Sequence, residues 1–357
     1  MGLVDLEYLS PLNPDRRTVR DNHVGATPTT IVLPKGVERL MLVPDRMRKC
    51  ALFVYCQVNG NKLPLGTAFW VGYPVPRFPD NHLGVVVTAN HVIARAKALG
   101  DDGKVYLRVN LIDGGSDWHK SAADAWLQTD TNVDVAIYGW NHDVDGPGVE
   151  YRGWSLRDNV ATDDVIEREG IGIGDEVFMV GLFRNHLGKA RNEPILRVGN
   201  IAAIPVDPIQ SKFGPMKAIL IEARSIGGLS GSPVFVHMGY ARWRNGQLAQ
   251  AGTDSPFLFL GVMQGHWEVT QEEAAGDTTD AVTPERIHTG IGVVVPAEVV
   301  MKNVLDPVIG EIALARAKQL DDENTPKPDD VLVEDTITPT KDLLGKLLQV
   351  PKDETED

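Results

Sequence analysis

Cysteine is scarce in this chain of 357 residues: Cys50 and Cys56 are the only two, both in one strand-like run, Cys50-Ala-Leu-Phe-Val-Tyr-Cys56. Six residues of extended chain span about 20 Å, well beyond the reach of a disulfide. An intramolecular bridge is therefore not expected, and the pattern is that of a reducing compartment with two buried, small apolar side chains. Long apolar runs are missing too, and no stretch approaches the length that crosses a bilayer. The start, MGLVDLEYLSPLNPDRR, lacks a basic segment followed by an apolar core, so no secretory leader is expected. Gly2 invites N-myristoylation, but Leu6 stands where a hydroxyl is required. Cytoplasmic localisation is the expectation. Positive charge is in deficit, with a formal net charge of -14. That argues against a nucleic-acid backbone as partner and against an anionic membrane surface.

Metal-binding signals are also lacking. The histidines outside the segment around His91 show no ligand spacing. Asn141-x-Asp143-x-Asp145-Gly146 opens like a calcium loop, but Arg152 occupies the position that needs glutamate, so a polar turn is the reading. No zinc motif and no phosphate-binding glycine loop is present, and no cofactor is expected.

What the chain has is turn residues, 35 Gly and 23 Pro, between short apolar runs. The runs are 51–58, 66–72, 84–88, 105–112, 133–138, 176–183, 195–204, 218–221, 233–236, 257–263 and 291–295. Strands recurring at this spacing, with few helices between them, predict an all-β barrel or sandwich. Helices are expected at 92–99 and 297–305, with a third at 311–320. Residues 321–357 change character: 12 acidic and 4 basic residues give a net of -8 there. Such a segment buries too little apolar surface to offset its ordering entropy and reads as a disordered acidic tail. Within it, Leu343, Leu344, Leu347 and Leu348 would line one face of a short helix between Thr340 and Pro351. About ten residues do not hold a helix alone in water. The expectation is either a docking segment that orders against a groove on a partner or on the body itself, or a weakly helical end with no function.

Three segments carry chemistry. Val85-Val86-Val87-Thr88-Ala89-Asn90-His91 delivers a histidine from the end of a buried strand to the start of a helix. Asn132-Val133-Asp134-Val135-Ala136-Ile137 sets a carboxylate in an apolar strand, where it needs a partner. Gly227-Gly228-Leu229-Ser230-Gly231-Ser232-Pro233 places a serine in a tight glycine turn before another strand. A serine hydroxyl becomes nucleophilic when an imidazole takes its proton, and the imidazole needs a carboxylate to fix its tautomer. Glycines let the N–H groups of Gly228 and Ser230 converge as an oxyanion hole. Singly, each segment has a bland reading: a satisfied core histidine, a turn-capping aspartate, a loop. The serine turn also differs from the Gly-x-Ser-x-Gly elbow between strand and helix.

Together, and in the order His91, Asp134, Ser230, they resemble the trypsin-like, chymotrypsin-fold serine peptidases, most of all bacterial intracellular and high-temperature-requirement-type members. In that family the nucleophile lies in Gly-x-Ser-Gly-Gly/Ser-Pro, the base in Thr-Ala-x-His and the acid in Asp-hydrophobic-Ala. Gly66-Thr67-Ala68-Phe69, Gly174-Asp175-Glu176-Val177 and Ile291-Gly292-Val293-Val294-Val295-Pro296 resemble further strands of the family. The resemblance covers about residues 48–305 and implies two packed antiparallel six-stranded β-barrels. The expected layout is an N-terminal extension 1–47, a first barrel 48–165 with His91 and Asp134, a second barrel 166–320 with Ser230 and the C-terminal helices, and the tail 321–357.

It implies a serine endopeptidase acting on protein or peptide substrates. Arg224, six positions before Ser230, would stand at the base of the primary substrate pocket, with Gly265 on the substrate strand; the alternative is that Arg224 pairs with a local acid such as Glu222 or points to solvent. Three departures stand out. Leu229 replaces the aspartate that receives a new N-terminus in digestive members. Val262-Met263-Gln264-Gly265-His266-Trp267 matches the substrate strand only loosely. No PDZ-like module follows. The alternatives are a catalytically silent or partner-activated binding scaffold of the same fold, and an esterase using the same residues.

Overall fold

The computed structural model describes residues 43–141, 148–211, 214–223, 228–239, 241–244, 247–250, 255–270 and 286–324. Arg224, residues 142–147, most of the N-terminal extension and the segment around Leu343–Leu348 lie outside these residues.

From Asp45 onward, the described chain opens with a short helix, α1 (Asp45–Lys49), which buries Met47. Seven strands follow: β1 (Ala51–Val58), β2 (Asn61–Val75), β3 (Phe78–Thr88), β4 (Lys104–Asn110), β5 (Ser116–Ala122), β6 (Ala136–Trp140) and β7 (Trp154–Ser155). Helix α2 (Asn90–Leu99) lies between β3 and β4. The β1–β2 hairpin turns on Asn59 and Gly60, both at positive φ (50° and 77°), as a two-residue hairpin loop requires. The strands form one sheet in the order β5-β4-β1-β2-β3-β6, with β7 parallel to β2.

This sheet curls but does not close into the expected six-stranded barrel. Its two outer strands approach through side chains: the His119 ring lies 4.8 Å from Trp140 and 5.5 Å from Tyr138. Backbone pairing at β6 goes instead to Leu127, which exchanges two 2.9 Å hydrogen bonds with Ile137. Trp126 stacks on Tyr138 at 5.4 Å, so the bulk of these rings fills the gap that a closing ladder would occupy.

The second half is a closed barrel. Strands β8 (Glu176–Gly181), β9 (Ile195–Ala203), β12 (Ile219–Glu222), β13 (Pro233–His237), β16 (Phe257–Thr270) and β17 (Arg286–Pro296) join in the order β12-β17-β16-β13-β8-β9, with β9 returning to β12. Two small hairpins, β10 (Ile209–Ser211) with β11 (Gly214–Met216) and β14 (Ala241–Arg244) with β15 (Gln247–Gln250), stand outside it. Period-two alternation sends Val177 and Met179, Ile219 and Ile221, Val234 and Val236, and Leu258 and Leu260 into one core. Phe69 of the sheet meets Phe259 of the barrel at 5.5 Å, and Trp154 meets Phe235 at 4.6 Å.

The two expected C-terminal helices are one continuous run. Ala297–Val299 and Glu311–Asn324 are α-helical, and Val300–Gly310 between them winds more widely around Pro307. Proline lacks an N–H and crowds the carbonyl four residues back, and the wider turn absorbs both effects. Buried Val300, Val304, Leu305 and Ile309 hold the run in place. No helix among the described residues is long and apolar enough to cross a membrane.

Both cysteines are free and buried, as the spacing predicts. Burial pushes the Cys50 thiol up to about 12. Cys50 is therefore expected to resist alkylation at pH 8 in the native state and to react only on unfolding. Mass spectrometry before and after denaturant reads this directly.

Glu150 accepts from Lys49 (2.8 Å) and Arg191, and its side chain is 14% exposed. The Lys49 hydrogen bond holds its carboxyl below the usual carboxylate range, while burial opposes that shift and Arg191 adds to it. A depressed folded-state value gives stability that is present above the unfolded value and lost as pH falls through the folded one. Glu150→Gln is expected to cost about 0.5–1 kcal/mol at pH 7 and to flatten the acid limb of stability below about pH 4.5 in denaturant titrations.

Candidate active site

The end of β3 and the start of α2 present His91. Ala89, the residue before the helix, has no side chain able to cap it. Asp134 does this from a distance: its Oδ1 accepts the His91 N–H at 2.9 Å, while its carbonyl accepts from Asn90 N at 3.2 Å. A carboxylate at a helix N-terminus is favoured by the orphan N–H groups and the helix dipole. The second carboxylate oxygen, Oδ2, lies 2.7 Å from His91 Nδ1. One carboxylate thus fixes both the backbone and the ring of His91. The Asp134 side chain is 2% exposed and that of His91 24%, so the pair has a dry inner end and an accessible outer one.

Asp134 sits two residues before β6 rather than within a strand, as the sequence had suggested. The loop that carries it is built from polar contacts. Asn90 Nδ2 donates to Gln128 Oε1 at 2.8 Å, and Gln128 Nε2 donates to the Val133 carbonyl at 3.1 Å. From the C-terminal helix, Asn303 donates to Asp130 at 2.9 Å, which, with the Asn132 N–H, holds the Asp130 carboxyl below its ordinary range.

Ser230 lies in the turn before β13. Gly228 (φ +114°) and Gly231 (φ +83°) flank it in a region that L side chains rarely adopt. A side chain at Gly231 would collide with the Thr67 carbonyl and Thr88 Oγ1. Among the described residues, neither the Gly228 nor the Ser230 N–H is donated to a backbone carbonyl. Strand β16 is tied to this turn by Gly231 N to Met263 O (2.8 Å) and Met263 N to Ser232 O (2.9 Å). Next along β16, Gln264 is bulged out of register and buried, and Gly265 has open space where a side chain would stand.

The sequence marks Thr67 only as part of a strand, and its role comes from partners distant in the chain. Fully buried, Thr67 donates its hydroxyl to Gly228 O (2.9 Å), accepts from Leu182 N (2.8 Å), and donates its N–H to Ser230 O (2.9 Å). Its carbonyl accepts from Thr88 Oγ1 at 2.6 Å. Beside it, a Cβ on Gly66 would fall 2.8 Å from a Val92 methyl and 2.9 Å from Ser230 O. Gly66, Thr67, Thr88 and Val92 therefore bring the serine turn from the barrel against the His91 helix start from the sheet. A strand threonine between Gly66 and Ala68 was the available signal: a hydroxyl in a position that must be fully buried needs partners.

No family model matches the chain, and no curated protein matches it. Solved structures similar to it include the apo protease domain of MamO from Magnetospirillum magneticum, 13% identical, covering 72% of this chain and 97% of that one, with a TM-score of 0.40. An inactive form of mutant Rv3671c from M. tuberculosis is 15% identical over 77% of this chain and 96% of that one, also at 0.40. A catalytically inactive tobacco etch virus protease complexed with substrate is 10% identical over 62% of this chain and 74% of that one, at 0.33. Scores this low add nothing to the strand topology and site geometry already described.

Proposed function

We propose that this chain is a serine endopeptidase of the chymotrypsin fold, with Ser230 as nucleophile, His91 as general base and Asp134 as the group that orients and stabilises the imidazolium. The observation that carries the reading is the double engagement of Asp134 with His91, at 2.9 Å to the backbone and 2.7 Å to the ring, across from a serine turn pinned by Thr67. A buried carboxylate with both oxygens on one histidine selects the Nδ1–H tautomer and leaves Nε2 as the base. Attack by Ser230 on a peptide carbonyl, its proton passing to His91, would give a tetrahedral intermediate held by the Gly228 and Ser230 N–H groups; the C–N bond then breaks, His91 gives the proton to the leaving amine, and an acyl-enzyme remains. Hydrolysis by water, activated by the same imidazole, would release it.

The two free cysteines support action in a reducing compartment such as the cytoplasm. Arg224 and Gly265 are proposed to shape the primary pocket, with Arg224 favouring an acidic side chain before the cleaved bond. The leucines at 343, 344, 347 and 348 are proposed as a docking helix for a protein partner.

The test is to incubate wild type and Ser230→Ala with an unfolded protein mixture and map new N-termini by mass spectrometry. Wild type is expected to generate them and Ser230→Ala none. Equal yields from both would remove Ser230 from the chemistry.

A further inference from the structure

Arg108 of β4 is only 9% exposed, and none of the ion pairs among the described residues includes it. A buried cation without a counter-ion is costly unless each donor is satisfied. Here the guanidinium contacts the Tyr55 hydroxyl on its own side and otherwise donates chiefly to one loop of the other half, residues 182–194 between β8 and β9. Nη1 donates to Leu187 O (3.2 Å) and Gly188 O (2.9 Å), Nη2 donates to Lys189 O (2.8 Å), and Nε donates to Ser116 Oγ (3.1 Å). Around this fork, Ser116 Oγ donates to Ala190 O (2.8 Å), Asn192 N donates to Asn110 Oδ1 (2.7 Å), and Asn192 Nδ2 donates to Arg108 O (2.6 Å).

The loop leads back to the site. Leu187, at its clamped tip, and Leu182, at its root, share an apolar cluster with Phe53, Tyr55 and Tyr106. Leu182 in turn donates its N–H to Thr67 Oγ1, and its carbonyl lies 3.1 Å from where a Cβ on Gly228 would stand.

We infer that Arg108 is a positioning residue: it holds the 182–194 loop in place, and through Leu182 that loop sets the Gly228–Ser230 turn. The planar fork of arginine reaches successive carbonyls that the single ammonium of lysine cannot bridge together. The inference rests on the proposed role of that turn as oxyanion hole.

Arg108→Lys and Arg108→Ala are the variants, with amide hydrogen exchange and peptide hydrolysis as readouts. In Arg108→Lys, exchange is expected to rise at 183–192 and also at Gly228–Ser230, with kcat lower by about 10- to 100-fold and KM within about threefold. Guanidinium ion is expected to restore part of the kcat of Arg108→Ala, and ammonium ion none. Exchange confined to 183–192, or an unchanged kcat, would overturn the inference. Should Arg108→Ala not fold, the lysine variant alone decides. Should wild type hydrolyse nothing, the peptidase reading fails separately, and exchange at Gly228–Ser230 still decides the clamp.

Discussion

Ser230→Ala is expected to lower peptide turnover by about 10⁴-fold or more while leaving the denaturation midpoint within error of wild type. Ser230 is only half-buried, and the pinning bonds of its turn run through backbone atoms, from Thr67 N to Ser230 O and from Gly231 N to Met263 O, which the substitution keeps. The companion variant Asp134→Asn separates orientation from nucleophilicity. Its amide oxygen can still accept the His91 N–H, but its NH₂ then faces His91 Nδ1 and forces the proton onto Nε2. A loss of about 10⁴-fold near neutral pH is expected. Steady-state kinetics on a small peptide measure both. A loss below about tenfold in Asp134→Asn would mean that the 2.7 Å pair is structural and not catalytic.

Thr67→Val carries the largest expected effect on stability. Valine keeps the shape and removes the hydroxyl, leaving Gly228 O and Leu182 N without the partner each has now. Each buried group left unsatisfied costs about 1–3 kcal/mol, so the pair together costs about 2–6 kcal/mol, a large share of the stability of an ordinary domain. Thr67→Ser, which keeps both bonds and loses one methyl, is expected to cost about 1–1.5 kcal/mol. Equilibrium denaturation compares the two. Equal losses in both variants would show that the methyl packing, and not the hydroxyl, holds the turn.

Much of this was legible in the residues because local chemistry and fold agree there. Apolar runs mark every strand of the closed barrel, most of them bounded by Gly or Pro, and the glycines around Ser230 are required by positive φ at Gly228 and Gly231. His91 at a helix start was equally readable. What escaped was set by partners distant in sequence. Strand β5, Ser-Asp-Trp-His-Lys-Ser-Ala, lies on the sheet edge with only Ser121 buried, so no apolar period announces it. The Asp134 position reads as strand because Val133, Val135 and Ala136 are buried around it, yet the carboxylate serves a helix end 43 residues earlier. The unclosed sheet depends on ring stacking among Trp126, Tyr138, Trp140 and His119, and Thr67 and Arg108 draw their meaning from residues 161 and about 80 positions away.

Ser230, His91 and Asp134 are proposed to act as one assembled nucleophilic site. Labelling with a fluorophosphonate probe, followed by mass spectrometric location of the adduct, tests it most directly. One adduct per chain is expected, on Ser230, absent from His91→Ala and slowed strongly in Asp134→Asn. No labelling of the folded wild-type chain, or an adduct on another serine, would contradict it and favour a silent scaffold on the same fold.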